Sequence, residues 1–364
     1  MERIVFTGGG TAGHIFPGLA IAEALPVNYE LIWLGSSNSK DREFVNTFPH
    51  VKFIAIPSGK YRRYFSFLNF IDCFKIVFSF FASFFILLKL KPILLFSKGG
   101  FVSTPPCFAA RILGIPVITH ECDVSPGLAT RLNARVANKI LISYPETSNF
   151  FMKKDKVIYT GNPVRSIFYK ANGKSTSSFL GIEPKKPILL VLGGSLGASQ
   201  INNLIYENIQ KLLKHFFVIH QTGEANIEEA KNVLSELKEN AECYKIYPFI
   251  NEELPDLVYS SHIVVSRSGA NTVWELATLG KPMVLIPLEH GSSRGDQVEN
   301  ANVFVKANAA VVLQGNGVNN LFDVLINLLN DESYCKTLGE NAKKLSNEDV
   351  VNNIVKIIEE VKRK

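Results

Sequence analysis

The stretch "IVFTGGGTAGHIFPG", residues 4–18, places a histidine behind a glycine turn. A short apolar run ends in three glycines, and Gly8, Gly10 and Gly13 satisfy the spacing G-x-G-x-x-G. Strand, glycine turn and helix in that order offer backbone N–H groups and a helix N-terminus to an anion or a polar ligand. His14 stands at the mouth of that helix. A histidine titrates near neutrality and can take a proton from a hydroxyl, although capping or packing is the plainer role. A dinucleotide site of this type also needs an acidic residue ending the second strand, to hold a ribose. Here that strand reads "YELIWLGSSN" and ends in Gly35, Ser36 and Ser37, which argues against a nicotinamide cofactor.

Further candidates follow strand-like runs along the chain. In "FSKGGFVSTPP", Gly99 and Gly100 permit close approach of backbone to a ligand. "THECDVSPG" carries His120, Glu121 and Asp123 but no second histidine at helical spacing, so no metal site is expected. "YTGNPVR" ends in Arg165, whose guanidinium suits a phosphate. "LGGSLGA" offers backbone amides and Ser195 at a helix start, which suits a diphosphate. In "VSRSGANTVWELATLGKP", Thr272 and Glu275 stand at i and i+3. Either they form a local capping box, or Thr272 meets phosphate while Glu275 accepts hydrogen bonds from two ribose hydroxyls. Gln297 and Asn300 in "DQVENA" are amides able to read sugar hydroxyls.

The elements that must hold these residues alternate from end to end. "RIVFTG", "ELIWLG", "KFIAIP", "ILLFSKGG", "PVITHE" and "KILISY" form one set of apolar strands. "PILLVLGGS", "FFVIHQTG", "YKIYPFI", "HIVVSRSG", "PMVLIPL" and "AAVVLQ" form a second. Continuous apolar strands with helices between them predict parallel sheets covered on both faces. Two sets in 364 residues predict an α/β chain of two doubly wound, Rossmann-like domains, joined near a polar seam at residues 159–177. At 46% hydrophobic and 20% charged residues, the chain is globular rather than disordered.

The net charge of +6 fits an anionic partner, such as a phosphorylated ligand or an anionic membrane. No aromatic-plus-basic pattern points to nucleic acid. Five cysteines without a C-x-x-C pair read as reduced thiols, and no secretory signal pattern precedes the first strand, so the chain is expected to stay in the compartment where it is made. Segment 64–96, "YFSFLNFIDCFKIVFSFFASFFILLKLKPILLF", is dense in phenylalanine but too interrupted by Asp72, Lys75, Lys89 and Lys91 to span a bilayer comfortably. It reads either as a buried helix followed by a strand or as an apolar face that dips into a lipid interface. In the second case Arg62, Arg63 and the lysines would meet anionic head groups, and Phe80, Phe81, Phe84 and Phe85 would face lipid.

Seven motifs in one order, "GGGTAGH", "GGFVS", "HE", "GNPVR", "GGSLGA", "SRSGANTVWE" and "DQVENA", resemble the MurG family over nearly the whole chain. That family comprises the membrane-associated transferases that make peptidoglycan lipid II. The resemblance implies a GT-B fold: an acceptor and membrane domain over residues 1–162, joined by a tail helix at 346–364, and a donor domain over 163–345. It implies UDP-GlcNAc and lipid I as substrates, inversion at the transferred sugar, no cofactor and no metal. It also implies a peripheral position on the cytoplasmic face of the inner membrane.

Carried over by motif, the donor site takes Thr11, Ala12 and Gly13, then Asp123, Arg165, Ser195 and Ile250. From the helix start it takes Ala270, Asn271, Thr272, Val273, Trp274 and Glu275, and from the last motif Gln297 and Asn300. His14 is the expected base, with Glu121 as the alternative. Three positions depart from the family pattern. Ala12 stands where a glycine is usual, "HECD" replaces "HEQN", and the loop "EHGSSRGDQ" is slightly long. Other GT-B glycolipid transferases, a UDP-GlcNAc epimerase, and a non-catalytic membrane-recruited scaffold are the competing readings.

Overall fold

The computed structural model describes residues 1–37, 40–59, 67–193, 198–288 and 295–362, with side chains from 74 onward in the helix Phe67–Leu90. The chain divides into two compact units, Met1–Arg165 with Asp349–Lys364, and Ser166–Glu348.

The first unit is built on seven strands: β1 (Glu2–Thr7), β2 (Tyr29–Ser36), β3 (Val51–Ile56), β4 (Leu94–Ser97), β5 (Val117–Glu121), β6 (Lys139–Ile142) and β7 (Val157–Tyr159). They lie in the order β3-β2-β1-β4-β5-β6-β7, and every pairing is parallel. The order reverses between β1 and β4. In open parallel sheets that switch point leaves a crevice beyond the carboxyl ends of the two strands. Side chains alternate across β1 as a strand requires. Ile4 and Phe6 pack with Leu19 and Trp33 on one face, and Val5 packs with Leu87, Cys107 and Ala110 on the other. The tail helix Val350–Val361 joins the first of these layers through Val350, Ile354 and Ile358, spaced four apart on one helical face. β7 was not expected from the sequence. It is three residues long, only partly buried, and merges into the polar seam.

The second unit carries β8 (Ile188–Leu192), β9 (Phe217–Gln221), β10 (Tyr244–Tyr247), β11 (Ile263–Ser266), β12 (Met283–Leu285) and β13 (Val311–Val312). Their order, β10-β9-β8-β11-β12-β13, repeats the first sheet's topology, with the switch point between β8 and β11.

The helix Phe67–Leu90 has two unlike faces. Leu87 is buried, with Phe80, Phe84 and Ile86 packed against the same cluster. Phe74, Val77, Phe78, Phe81, Phe85 and Leu88 are exposed. Of the four phenylalanines singled out from the sequence, Phe80 and Phe84 therefore belong to the packed side. Among the described residues no helix is long and apolar enough to cross a membrane.

In the second unit Asp256 braces the turn at 172–175. It accepts hydrogen bonds from the N–H groups of Asn172, Gly173 and Ser175 and from Ser175 Oγ. Burial alone would raise its pKa, but these hydrogen bonds outweigh burial and bring the carboxyl down to about 2. A depressed folded-state pKa adds stability above the unfolded value, and that stability is lost as pH falls through the folded value. Asp256→Asn should therefore lower the urea midpoint at pH 6, and the gap to the parent should close between about pH 4 and pH 2. An equal gap across that range would remove Asp256 as its source.

Candidate active site

The first unit's candidates gather at the β1/β4 switch point. After β1 the chain runs through Gly8–Gly10 into the short 3-10 turn Ala12–His14 and then the helix Phe16–Ala24. Thr11 is exposed, and Ala12, Gly13 and His14 are half-buried. The imidazole of His14 lies against the turn after β4. A methyl group on Gly99 would come to 3.9 Å from its Nδ1, and one on Gly100 to 3.0 Å from its Cδ2. Both glycines hold φ at +78°, a conformation side-chain-bearing residues rarely adopt. Gly100 also meets the carbonyl of Gly9, so the two turns are packed backbone to backbone. The turn after β4 is held from below. Asn133 Nδ2 donates to Ser97 Oγ at 3.0 Å and to Ser103 Oγ at 2.8 Å, and Ser103 Oγ donates to Gly100 O at 2.9 Å.

Asp41, which the sequence reading passed over, corrects the view of the first glycine turn as an anion cradle. Its carboxylate accepts from Gly10 N and from Ser36 N, both at 2.9 Å. An amide that already serves a carboxylate is not offered to a phosphate. The turn's other end is tied by Trp33, whose Nε1 donates to Gly8 O at 3.0 Å. An acid in the first turn of the helix Asp41–Asn46 looks like ordinary helix charging, so its sequence carried no signal of this contact.

Glu121 is likewise a bracket. Its Oε1 accepts from the N–H groups of Cys122 and Asp123, and its Oε2 from Gly127 N, at 2.9–3.1 Å. With both oxygens committed to buried backbone, it is not placed to exchange a proton with a substrate, and the expectation that it could replace His14 is set aside. Asp123 is half-buried on the loop that Glu121 holds. Arg165, at the end of the segment after β7, is buried, with its guanidinium 4.9 Å from the ring centre of Phe16. Arg165 thus stacks on a ring, Phe16, that is two residues from His14 along the chain.

In the second unit the helix Ala270–Thr278 begins just beyond β11, with Gly269 as its N-cap. Thr272 is thus inside the helix, which removes the capping-box reading of Thr272 and Glu275. Both are half-buried in the first turns. Val273 and Trp274 face the core, and Trp274 packs edge-on to Phe304. Their side chains support the helix. Asn300 has no exposed surface and donates to Ser268 O at 3.3 Å. Gln297 Oε1 accepts from Leu288 N at 3.0 Å, and Gln297 O accepts from Ser268 Oγ at 2.7 Å. Asn300 therefore holds the turn before Ala270. Ile250 is buried, and its N–H donates to Gln221 Oε1 at 3.0 Å. A nucleobase there would meet the backbone that Gln221 positions. Arg267, another residue the sequence reading missed, donates to Gln200 Oε1 and Ile286 O and fastens the same turn. Ser195 and residues 289–294 lie outside the described residues.

Two parallel sheets, each with its candidate residues beyond the strand ends at a switch point, define the architecture of glycosyltransferases built from two Rossmann-like halves. Residues 4–142 match the glycosyltransferase family 28 N-terminal domain, and residues 188–354 match that family's C-terminal domain. The UDP-N-acetylglucosamine--N-acetylmuramyl-(pentapeptide) pyrophosphoryl-undecaprenol N-acetylglucosamine transferase of Treponema denticola is 54% identical over 358 residues, 94% of this chain and 91% of that protein. The protein of the same name from Clostridium tetani is 39% identical over 98% of each chain. The chain belongs to glycosyltransferase family 28, among these N-acetylglucosamine transferases. The crystal structure of Acinetobacter baumannii MurG aligns over 99% of this chain and 100% of that one, with a TM-score of 0.72 at 23% identity. A UDP-GlcNAc 2-epimerase from Neisseria meningitidis, bound to UDP-GlcNAc, aligns over 99% of this chain and 100% of that one at 0.69 and 16%. At those identities the likeness concerns the fold alone.

The bracket role of Glu121 has a measurable consequence. Each buried N–H left without a partner costs about 1–3 kcal/mol. Glu121→Ala strands one buried amide, that of Cys122, and two half-buried ones, and should lower the unfolding free energy by about 1–3 kcal/mol in urea titrations. A fully stable but inactive variant would instead make the carboxylate a reacting group.

Proposed function

We propose that this protein transfers GlcNAc from UDP-GlcNAc to the muramoyl 4-hydroxyl of a polyprenyl-diphospho-muramoylpentapeptide, converting lipid I to lipid II. The observation that carries this reading is the His14 imidazole seated on Gly99–Gly100 at the first sheet's switch point, within a family of N-acetylglucosamine transferases. The acceptor hydroxyl attacks the anomeric carbon, its proton passes to His14, UDP leaves, and the configuration inverts. The transition state has oxocarbenium character while the diphosphate gains charge. The positive end of the helix Ala270–Thr278 and the guanidinium of Arg165 are the groups assigned to that charge. Glu275 is assigned to the ribose hydroxyls, Thr272 and the backbone of Ala270 and Asn271 to phosphate, and Gln297 to the sugar. The loop Thr11–Ala12–Gly13 is assigned to the donor side of His14, and Asp123 to the edge of the same site.

We further propose that the exposed face of the helix Phe67–Leu90 rests in an anionic lipid interface, on the cytoplasmic side where lipid I is presented. Its exposed apolar residues fall at 74, 77, 78, 81, 85 and 88, one stripe at helical spacing, with Lys75 and Lys89 beside it. That face would bring the protein to a lipid-linked acceptor without extracting it from the bilayer.

Two measurements test these readings. With UDP-GlcNAc and a short-chain lipid I analogue, the parent protein should yield product heavier by one HexNAc. His14→Ala should lower kcat by about 10²-fold or more, and near-normal turnover would sink the base assignment. Replacing Phe78, Phe81 and Phe85 together with serine should weaken flotation with phosphatidylglycerol vesicles while leaving thermal unfolding close to the parent. Unchanged flotation would remove that face as the lipid contact.

A further inference from the structure

Beneath the two glycine turns lies a lysine that the proposed chemistry does not use. Lys98 is 1% exposed. Its Nζ is 2.7 Å from His120 Nδ1 and 2.9 Å from Cys122 Sγ. Among the described residues no carboxylate pairs with it. Burying a cation without a counter-charge costs several kcal/mol, and apolar side chains of similar volume fill such space without that penalty. A polar group retained at such a site needs a task, and its neighbours suggest one.

The amine donates to Nδ1 of His120, so the imidazole carries its own proton on Nε2, which donates to Gly161 O at 3.1 Å. Burial and the adjacent Lys98 charge both hold His120 neutral, with its pKa well below the usual histidine value. Gly161 begins the segment that ends at Arg165. It holds φ at +88°, with Val350 of the tail helix packed where a side chain would stand. Arg165 stacks on Phe16, and His14 lies on Gly99–Gly100, the residues directly after Lys98. Contacts and two short runs of chain, 161–165 and 14–16, therefore close a ring: Lys98, His120, Gly161, Arg165, Phe16, His14 and back to the turn that Lys98 precedes.

We propose that Lys98, acting through His120, is a positioning residue for the transfer reaction, locking the glycine platform under His14 to the Gly161–Arg165 segment. This rests on the assignment of His14 as base and of Arg165 as a phosphate contact. Displacements of about 1 Å around reacting groups cost up to about 10²-fold in rate. In the full-length protein, Lys98→Met should lower kcat by about 10- to 100-fold with little change in the KM for UDP-GlcNAc. Added to His14→Ala, it should cause no further loss, because groups acting as one unit are not additive.

Nitrogen NMR of the His120 ring gives a readout independent of turnover. In the parent the ring should show the Nε2–H tautomer without titrating between pH 5 and pH 8, and in Lys98→Met the Nδ1 resonance should move toward that of an acceptor nitrogen without a hydrogen bond. If Lys98→Met does not fold, His120→Gln replaces it with the same kinetic expectation, and the parent ring spectrum still applies. A folded Lys98→Met with unchanged kcat, losses that multiply in the double variant, or an Nδ1–H tautomer in the parent would each overturn the relay. Normal turnover in His14→Ala would instead strike the base assignment, leaving the ring tautomer and the Lys98 kinetics to decide the relay.

Discussion

The close approach of two backbone turns at the β1/β4 switch point governs the first unit's site. Gly100 meets the carbonyl of Gly9, and a side chain at Gly100 would crowd the imidazole of His14. Parallel pairing of β1 with β4 brings the two turns to the same edge of the sheet. The positive φ of Gly99 and Gly100 then lets them touch. The histidine's position follows from those two conditions, since it rides on a turn with no side chains to push it away.

Most of the polar residues around the site serve backbone. Asp41 holds Gly10 and Ser36, Glu121 holds the loop from Cys122 to Gly127, and Gln221 holds Ile250. Asn300 and Gln297 hold the turn at Ser268. Loops beyond strand ends have no ladder partners, and buried N–H and C=O groups must be satisfied by something. Short side chains with two acceptor positions fill that need. Other candidate residues, such as His14, Thr272, Glu275 and Asp123, are only half-buried. The division between supporting residues and these candidates follows burial rather than residue type.

The helix Phe67–Leu90 shows the same separation on a larger scale. Serines at 79 and 83 and Leu87 are buried on its packed side, while phenylalanines at 74, 78, 81 and 85 are exposed. An apolar stripe of this extent on a globular surface marks a contact with another apolar phase or partner. Its proximity in sequence to β4, which carries Lys98, Gly99 and Gly100 just beyond its end, links that surface to the site's scaffold.

The sequence by itself determined the architecture. Continuous apolar strands between helices can only be buried on both faces, and twelve of the thirteen strands among the described residues were legible from that pattern. β7 was not, because three half-exposed residues carry no periodic signal. The order of motifs was equally legible, and with it His14, Arg165 and the helix start at Ala270. Only the tertiary structure decided which acids and amides are tied to backbone. Glu121 and Asp123 are two residues apart in one loop, yet the first is sealed against three amides and the second is half-open. Asp41 and Lys98 gave no local signal, because Gly10 and His120, which they bind, belong to distant segments joined to them only by folding. Hydrogen bonding between distant segments depends on the register and order of the strands, and no spacing along the chain encodes it.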